Sequence, residues 1–297
     1  MKKTVLFSVI AAMIVFASCN KDGVYNPAKK ISKITITETD LSPRGGDVQT
    51  TVQNWTWKKK QLQSIVYTIK GNQDTSWTEE FSYDKSGRLI RIEDKKNNHY
   101  TVYEYDGDQL DKVLCFEYNE KMAEYNFKYK GDRLSEIECL DFYRYYSIQK
   151  ENKLNPLAFV CPSAIVDLAQ KAEENVALTE SQPRQKMNAS KLVLSLEWDG
   201  TNISKIAKDY PGYNKRYECL LTYDSGKNPF AGFFALDFIG AYYYKSANNI
   251  VSMTQVGSTW KREYIYTYKG QYPESYTYTD SYSNEPYCRY NYQIEYK

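Results

Sequence analysis

The sequence predicts an all-β protein: a large antiparallel meander of about sixteen strands, built from repeated hairpins and curled or closed on itself, with one helical insertion. Three observations carry the prediction. A short motif recurs at near-constant spacing, the segments between its copies alternate aromatic with polar residues, and Asp, Lys and Gly gather where the alternation stops. Composition agrees with a folded chain, at 42% hydrophobic and 26% charged residues, and thirty tyrosines exceed what an ordinary core requires.

The N-terminus comes first. Residues 1–19 read MKKTVLFSVIAAMIVFASC, in which Lys2 and Lys3 precede an apolar run from Val5 to Ala17 that only Ser8 interrupts. That run is shorter than the ~20 residues a membrane-spanning helix needs, so residues 1–18 are expected to be a removable signal peptide. Phe16-Ala17-Ser18-Cys19 resembles a bacterial lipobox, small residues before a Cys that becomes diacylated, with Phe16 where Leu is usual. The resemblance implies that Cys19 is the lipidation site and that residues 19–30 are acylated Cys and tether. Lys21-Asp22 just behind it is similar to the surface-export signal of Bacteroidetes lipoproteins, with Gly23 in place of a second acid. That resemblance implies an outer-membrane, lipid-anchored protein exposed on the cell surface.

The repeat follows, within a single domain expected over residues 31–297. A lead aromatic ends an alternating strand, a polar turn comes next, and an aliphatic pair three apart follows. Copies include Trp57 with Leu62 and Ile65, Tyr83 with Leu89 and Ile92, Tyr105 with Leu110 and Val113, Tyr129 with Leu134 and Ile137, and Trp198 with Ile203 and Ile206. Tyr223, Tyr244 (with Ile250 and Met253) and Tyr268 (with Pro273 and Tyr276) are read as three further copies. Apart from the gap between 129 and 198, lead aromatics lie 21 to 26 residues apart, room for two strands and two turns. Asp-Gly and Lys-Gly supply the positive φ that hairpins demand.

Within strands the period is two. Ala123, Tyr125, Phe127 and Tyr129 share one face while Glu124, Asn126 and Lys128 share the other, and Tyr290, Tyr292, Ile294 and Tyr296 repeat the pattern. One aromatic face is therefore expected inside and one polar face in water. So long a meander must curl, split or close to hide its edges. Tyr along the whole length of the ordered face, short strands and a redundant lipid anchor argue against a transmembrane barrel. The repeats resemble YD-type (Rhs-like) repeats, and are more similar still to a group of Bacteroidetes lipoproteins of unknown function. That likeness spans about residues 50–297 and implies a porin-like barrel.

Residues 147–190 interrupt the repeat. Ser163 can cap a helix carrying Ile165, Leu168, Ala169, Ala172 and Val176 on one face, and 179–190 is polar. Asn155-Pro156 echoes Asn228-Pro229, which suggests two related halves.

Chemistry is hard to find. Lysine and arginine number 39 against 37 acids; without Lys2 and Lys3 the mature balance is zero, which makes nucleic acid and anionic lipid headgroups poor partners. The single His99 sits in a polar turn and reads as a solvated side chain, which removes paired-His mechanisms and His-rich metal sites. Cys115, Cys139, Cys161, Cys219 and Cys288 form an odd set; Cys115 and Cys139 hold equivalent places in successive hairpins, two strands or roughly 10 Å apart, beyond disulfide reach. Asp106, Asp108 and Asp111 lack calcium-loop spacing and read as turn formers. Trp55, Trp57, Trp77, Trp198 and Trp260 share parity with the aromatic face, as core or, in a wet lumen, as a ligand wall. No cofactor or metal is expected and no catalytic residue is assigned. The function expected is a non-catalytic binding or scaffold module on a membrane anchor, for a glycan or a partner protein. A purely structural envelope protein and a glycan-active hydrolase stand as alternatives.

Overall fold

A computed structural model describes residues 21–41, 48–70, 75–141, 190–211, 214–233 and 244–297. Sixteen antiparallel strands follow one another around a closed barrel. They are β1 (Ile31–Asp40), β2 (Val48–Lys58), β3 (Gln61–Lys70), β4 (Thr75–Tyr83), β5 (Leu89–Asp94), β6 (His99–Asp106), β7 (Gln109–Glu117) and β8 (Glu120–Lys130) in the first half. The second half holds β9 (Arg133–Asp141), β10 (Ser190–Asp199), β11 (Asn202–Tyr210), β12 (Lys215–Lys227), β13 (Asn248–Gln255), β14 (Lys261–Lys269), β15 (Tyr272–Tyr282) and β16 (Glu285–Tyr296). β1 closes the ring against β16, with Ile31 opposite Tyr296 and Asp40 opposite Cys288. Closure leaves no strand edge among the described residues, which answers the edge problem the long meander poses.

The sequence motif has one physical cause, a β-bulge. At the barrel end where β2 meets β3, called here the lower end, Trp57 pairs with Leu62 while Trp55 pairs with Ile65, so one extra residue sits on the β3 side. Residues three apart would face opposite sides of a regular strand; the extra residue turns both inward, and Leu62 and Ile65 are fully buried. The same irregularity falls at Tyr83/Leu89, Tyr105/Leu110, Tyr129/Leu134, Trp198/Ile203 and Tyr268/Pro273. It recurs at Tyr223/Ile250 and, across the chain ends, at Tyr296/Ile31.

A bulge withdraws a carbonyl from the ladder, and the next hairpin supplies its donor. Tyr83 Oη donates to Leu62 O (2.8 Å), Tyr105 Oη to Leu89 O (2.6 Å), Trp198 Nε1 to Leu134 O (2.7 Å) and Tyr223 Oη to Ile203 O (2.6 Å). Tyr266, Tyr296 and Trp57 do the same to Ile250 (2.8 Å), Pro273 (2.8 Å) and Ile31 (2.7 Å). Seven junctions thus carry an aromatic latch that ties a hairpin to the one before; of the remaining lead tyrosines, Tyr129 donates to Asp22 and Tyr268 to Asp224, with Tyr266 supplying the latch to Ile250. At the opposite, upper end, the described β7–β8 and β15–β16 turns are tight and use non-glycine residues at positive φ, Tyr118-Asn119 and Ser283-Asn284.

Two expectations need correction. Tyr223 and Tyr244 are not two copies of the repeat: Tyr223 pairs with Ile250 in one hairpin with a long loop, and Tyr244 is a buried loop residue. The copy that completes the ring is Tyr296 with Ile31 and Ile34, hidden from a linear reading because its two halves lie at opposite ends of the chain. His99 is not in a turn; Asn98 takes the positive φ, so His99 opens β6 with Nε2 3.2 Å from Glu117 Oε1. Strand length is mixed: β5, β6 and β13 have 6 to 8 residues, shorter than a tilted span needs, as expected, while β2, β8, β12, β15 and β16 run from 11 to 13, so strand length does not decide the membrane question.

The outer wall bears on it more directly. Outward positions carry cross-strand ion pairs such as Lys33–Glu295 (2.9 Å), Lys112–Glu124 (3.8 Å), Lys128–Glu136 (2.6 Å), Lys205–Glu218 (3.1 Å) and Arg216–Asp209 (2.5 Å). A lysine on a lipid-facing wall costs roughly 2–4 kcal/mol at mid-depth, so this wall is built for water. Phe127 is buried and its neighbour Lys128 exposed, as the alternation requires, although Glu124 and Asn126 are half covered by their neighbours on the outer wall. The helix expected within 147–190 lies outside the described residues, apart from Ser190, which opens β10.

Candidate functional site

Two features of the barrel interior could carry function: the lower end, which is sealed, and a polar wall above it.

The seal begins with residues 21–30, read from the sequence as tether. They run across the lower end and fill the hydrogen-bonding positions that the bulges vacate. Leu89 N donates to Gly23 O (2.9 Å), Asp22 N donates to Asp108 O (3.0 Å), and Leu110 N donates to the Asp22 carboxylate (3.2 Å). Asp22 also accepts from Tyr129 Oη (2.5 Å) and pairs with Lys245 Nζ (2.6 Å), both partners deeply covered. Burial pushes the Lys245 ammonium below its usual range, and the Asp22 charge opposes that. Lys21 stays exposed and pairs with Asp108 (2.9 Å).

Gly23 departs from the export-signal pattern for a structural reason. Its φ is +79°, and a Cβ there would lie 2.6 Å from Cζ of the Tyr105 ring, so no acidic side chain fits. Next, Tyr25 inserts among Trp57 (ring centroids 5.6 Å apart), Trp55 (6.4 Å) and Phe233 (4.6 Å), while its hydroxyl donates to Pro229 O (2.7 Å). Ser246 of the β12–β13 loop serves the other side of the ring, its Oγ accepting from Ile203 N (3.1 Å). A crevice beside Asn228, Asn249 and Tyr276 holds about 10 Å³, the room of a single water, and is no ligand site.

The upper interior wall is polar and charged. On β2–β3–β4, Gln53, Tyr67 and Trp77 lie in one register row, with Tyr67 and Trp77 stacked at 5.0 Å and 5°. Below Trp77, Glu79 is buried and accepts from Tyr67 Oη (2.8 Å). Burial raises its carboxyl to about 8; the Tyr67 bond works against the rise and the Asp94 charge adds to it. Gln53 Nε2 and Trp77 Nε1 are buried donors with no hydrogen-bond partner. Across the barrel, Arg262 grips Asp280 with two bonds of 2.6 Å each, both side chains almost wholly buried, beneath the Tyr278 ring (4.2 Å).

The sequence-derived candidates distribute as follows. Trp55, Trp77 and Trp260 are core, whereas Trp57 and Trp198 are half-buried latches. Asp108 binds Lys21, and no group of three or more His, Cys, Asp or Glu gathers for a metal among the described residues. Cys115, Cys139, Cys219 and Cys288 form no disulfide, and Cys161 lies outside the described residues. Burial pushes Cys115 up to about 12 and Cys219 up to about 11, so neither offers a thiolate at neutral pH. Cys19 lies outside the described residues. Glu79 and the Arg262–Asp280 pair escape the sequence reading, although the signal was present: Glu79 shares parity with Trp77 and Phe81, Arg262 with Trp260 and Tyr264.

No protein-family model and no curated protein sequence matches the chain. Among solved structures, a porin-like protein from Bacteroides uniformis ATCC 8492 superposes with a TM-score of 0.55 at 12% identity, over 90% of this chain and 96% of that one. A porin-like protein from Bacteroides vulgatus ATCC 8482 aligns at a TM-score of 0.40 and 12% identity, over 91% of this chain and 99% of that one. At such identity the Bacteroides uniformis likeness speaks for architecture alone: the chain shares the fold of a porin-like barrel, a closed antiparallel ring of sixteen strands.

Proposed function

We propose that this protein is a lipid-anchored lipoprotein of the outer membrane, displayed at the cell surface, whose barrel is a non-catalytic binding or scaffold module for a glycan or a partner protein. The observation that carries the reading is the pairing of a charged outer wall with a sealed lower end. A barrel with ion pairs along its outside does not sit in hydrocarbon, and one filled by its own N-terminal segment does not conduct. Membrane attachment then falls to Cys19, two residues before the first described residue. Burial keeps the Cys115 and Cys219 thiols protonated at neutral pH, which suits a packing role for them rather than a nucleophilic one.

The test is fractionation. Cys19→Ala should move the protein from the membrane to the soluble fraction, and unchanged partition would sink the anchor. For export, Lys21→Ala alone is the informative change, because Asp22 also holds Lys245 in the folded barrel. Protease added to intact cells should degrade the wild type and spare Lys21→Ala; equal degradation removes the export signal. A saccharide screen read by thermal shift separates a glycan binder from a purely structural barrel.

A further inference from the structure

We infer that the sealed lower end of the barrel is a membrane-docking face that engages the phosphates of anionic lipid headgroups. The inference rests on the anchored reading above and adds to it an orientation and a partner chemistry. Three observations carry it.

The described chain begins at this end, with Lys21 bound to Asp108 in the β6–β7 turn. The segment that follows is held by the barrel and gives no slack. Two residues span at most about 7 Å, so an acyl chain on Cys19 brings the lower rim to within a Debye length of the headgroups. The barrel then stands on its lower end, with its upper end pointing away.

The rim there is charged on one side. Four successive junctions around the ring present Lys59 and Lys60 (β2–β3), Lys30 (β1–β16), Lys29 and Lys269 (β14–β15) and Lys227 (β12–β13). Lys59, Lys60, Lys227 and Lys269 are fully exposed. Glu274 answers Lys269 (3.3 Å) but remains open to solvent itself. The zero net charge of the mature sequence conceals this arc, because acids elsewhere on the same rim, Asp106, Asp108 and Asp132 among them, balance it.

The arc is also aromatic. Lys29 Nζ lies 5.7 Å and 5.6 Å from the ring centroids of Tyr272 and Tyr296, Lys227 Nζ lies 6.0 Å from Tyr272, and Lys30 Nζ lies 5.4 Å from Trp57. Ammonium groups held beside tyrosine and tryptophan are the chemistry of a bilayer interface, cation for the phosphate and amphipathic ring for the headgroup layer.

Sedimentation with vesicles tests the proposal on the full acyl-free chain, Cys19→Ala. Binding to phosphatidylcholine vesicles containing 30% phosphatidylglycerol should exceed binding to pure phosphatidylcholine, and should fade as salt is raised. Changing Lys59, Lys60, Lys227 and Lys269 together to Gln should cut the anionic partition by roughly a hundredfold or more, at about fivefold for each lysine. The same four positions as Arg should retain it. A far-UV spectrum unchanged in the Gln variant keeps the loss attributable to the surface. Equal binding to both vesicle types, or an unaltered Gln variant, overturns the docking face. Competition by inorganic phosphate beyond that of ionic-strength-matched sodium chloride also overturns it, by pointing to a small-anion site. Because the assay uses acyl-free protein, its failure leaves the Cys19 anchor standing, and an unacylated Cys19 in cells leaves the docking face standing.

Discussion

The lower and upper halves of this barrel are built from the same strands by different rules. Below, eight bulged junctions repeat one solution: two inward residues three apart, a freed carbonyl and, at seven of the eight, an aromatic donor from the next hairpin. Above, the described residues show no such repeat. Glu79 sits against Tyr67 and Arg262 grips Asp280, while Gln53 and Trp77 keep a donor each without a partner. The lower half is periodic because one local backbone defect recurs at each junction and must be satisfied there. The upper half is free of that requirement, and so it is where the chain places costly buried charge. Among the described residues its counterpart below is the Asp22–Lys245 pair, which belongs to the seal rather than to the repeat.

That seal should be the most sensitive point of the lower half. Asp22→Asn keeps the shape but leaves the covered Lys245 without the Asp22 carboxylate, and removal of one partner from a buried ion pair costs about 3–5 kcal/mol. Urea midpoints on the acyl-free chain measure the loss. Adding Lys245→Met should return most of the stability, since the charge that lost its counterpart is then gone. A cost of Asp22→Asn below about 1 kcal/mol would mean that residues 21–30 do not lock the lower end.

The upper half should answer to pH instead. In the folded chain the Glu79 carboxyl titrates near 8, against an ordinary value of 4.5. Between those values the folded protein holds a proton that the unfolded chain has released. Stability from this group is therefore complete below about pH 4.5 and is lost as pH rises to 8. Glu79→Gln keeps the acceptor for Tyr67 and cannot ionise. It should match the wild type near pH 4.5 and exceed it above pH 8 by on the order of 2–4 kcal/mol. Thermal denaturation across pH 4 to 9 shows whether the two curves diverge; parallel curves would place the Glu79 carboxylate in a solvated setting.

How much of this was readable in the residues follows from the same contrast. The repeat disclosed the hairpins, the inward aromatic face and the strand number, because periodic signals survive any single error. The aliphatic pairs three apart also announced the bulge, since strict alternation cannot place Leu62 and Ile65 on one face. Parity marked Glu79, Arg262 and Asp280 as inward, each flanked by aromatic residues of its own strand. That they are tolerated there depends on partners from neighbouring strands, which spacing does not disclose. Asp22 lay beyond reach altogether: Lys245 is 223 residues away in sequence, and a short acidic segment behind a lipobox has an export reading ready to hand. Tyr296 with Ile31 was missed for a related reason, because a closed ring joins the two places a linear reading keeps furthest apart.

The smallest expected effect tests the latch itself. Tyr105 Oη donates to Leu89 O at 2.6 Å, the ring stacks under the Arg88 guanidinium at 4.7 Å, and Gly23 passes directly over the hydroxyl edge. Tyr105→Phe keeps the ring, the cation–π contact and the packing against Gly23, and removes only the donor. The Leu89 carbonyl, out of the ladder at its bulge, then loses its partner, which costs about 1 kcal/mol. Tyr296→Phe removes the equivalent bond to Pro273 O at a junction far around the ring, so the two losses should be similar and should add in a double variant. Denaturation midpoints resolve differences of that size. If Tyr105→Phe is neutral while Tyr105→Ala is costly, the lead aromatics act through packing alone, and the repeat is a pattern of inward rings rather than a chain of hydrogen-bonded latches.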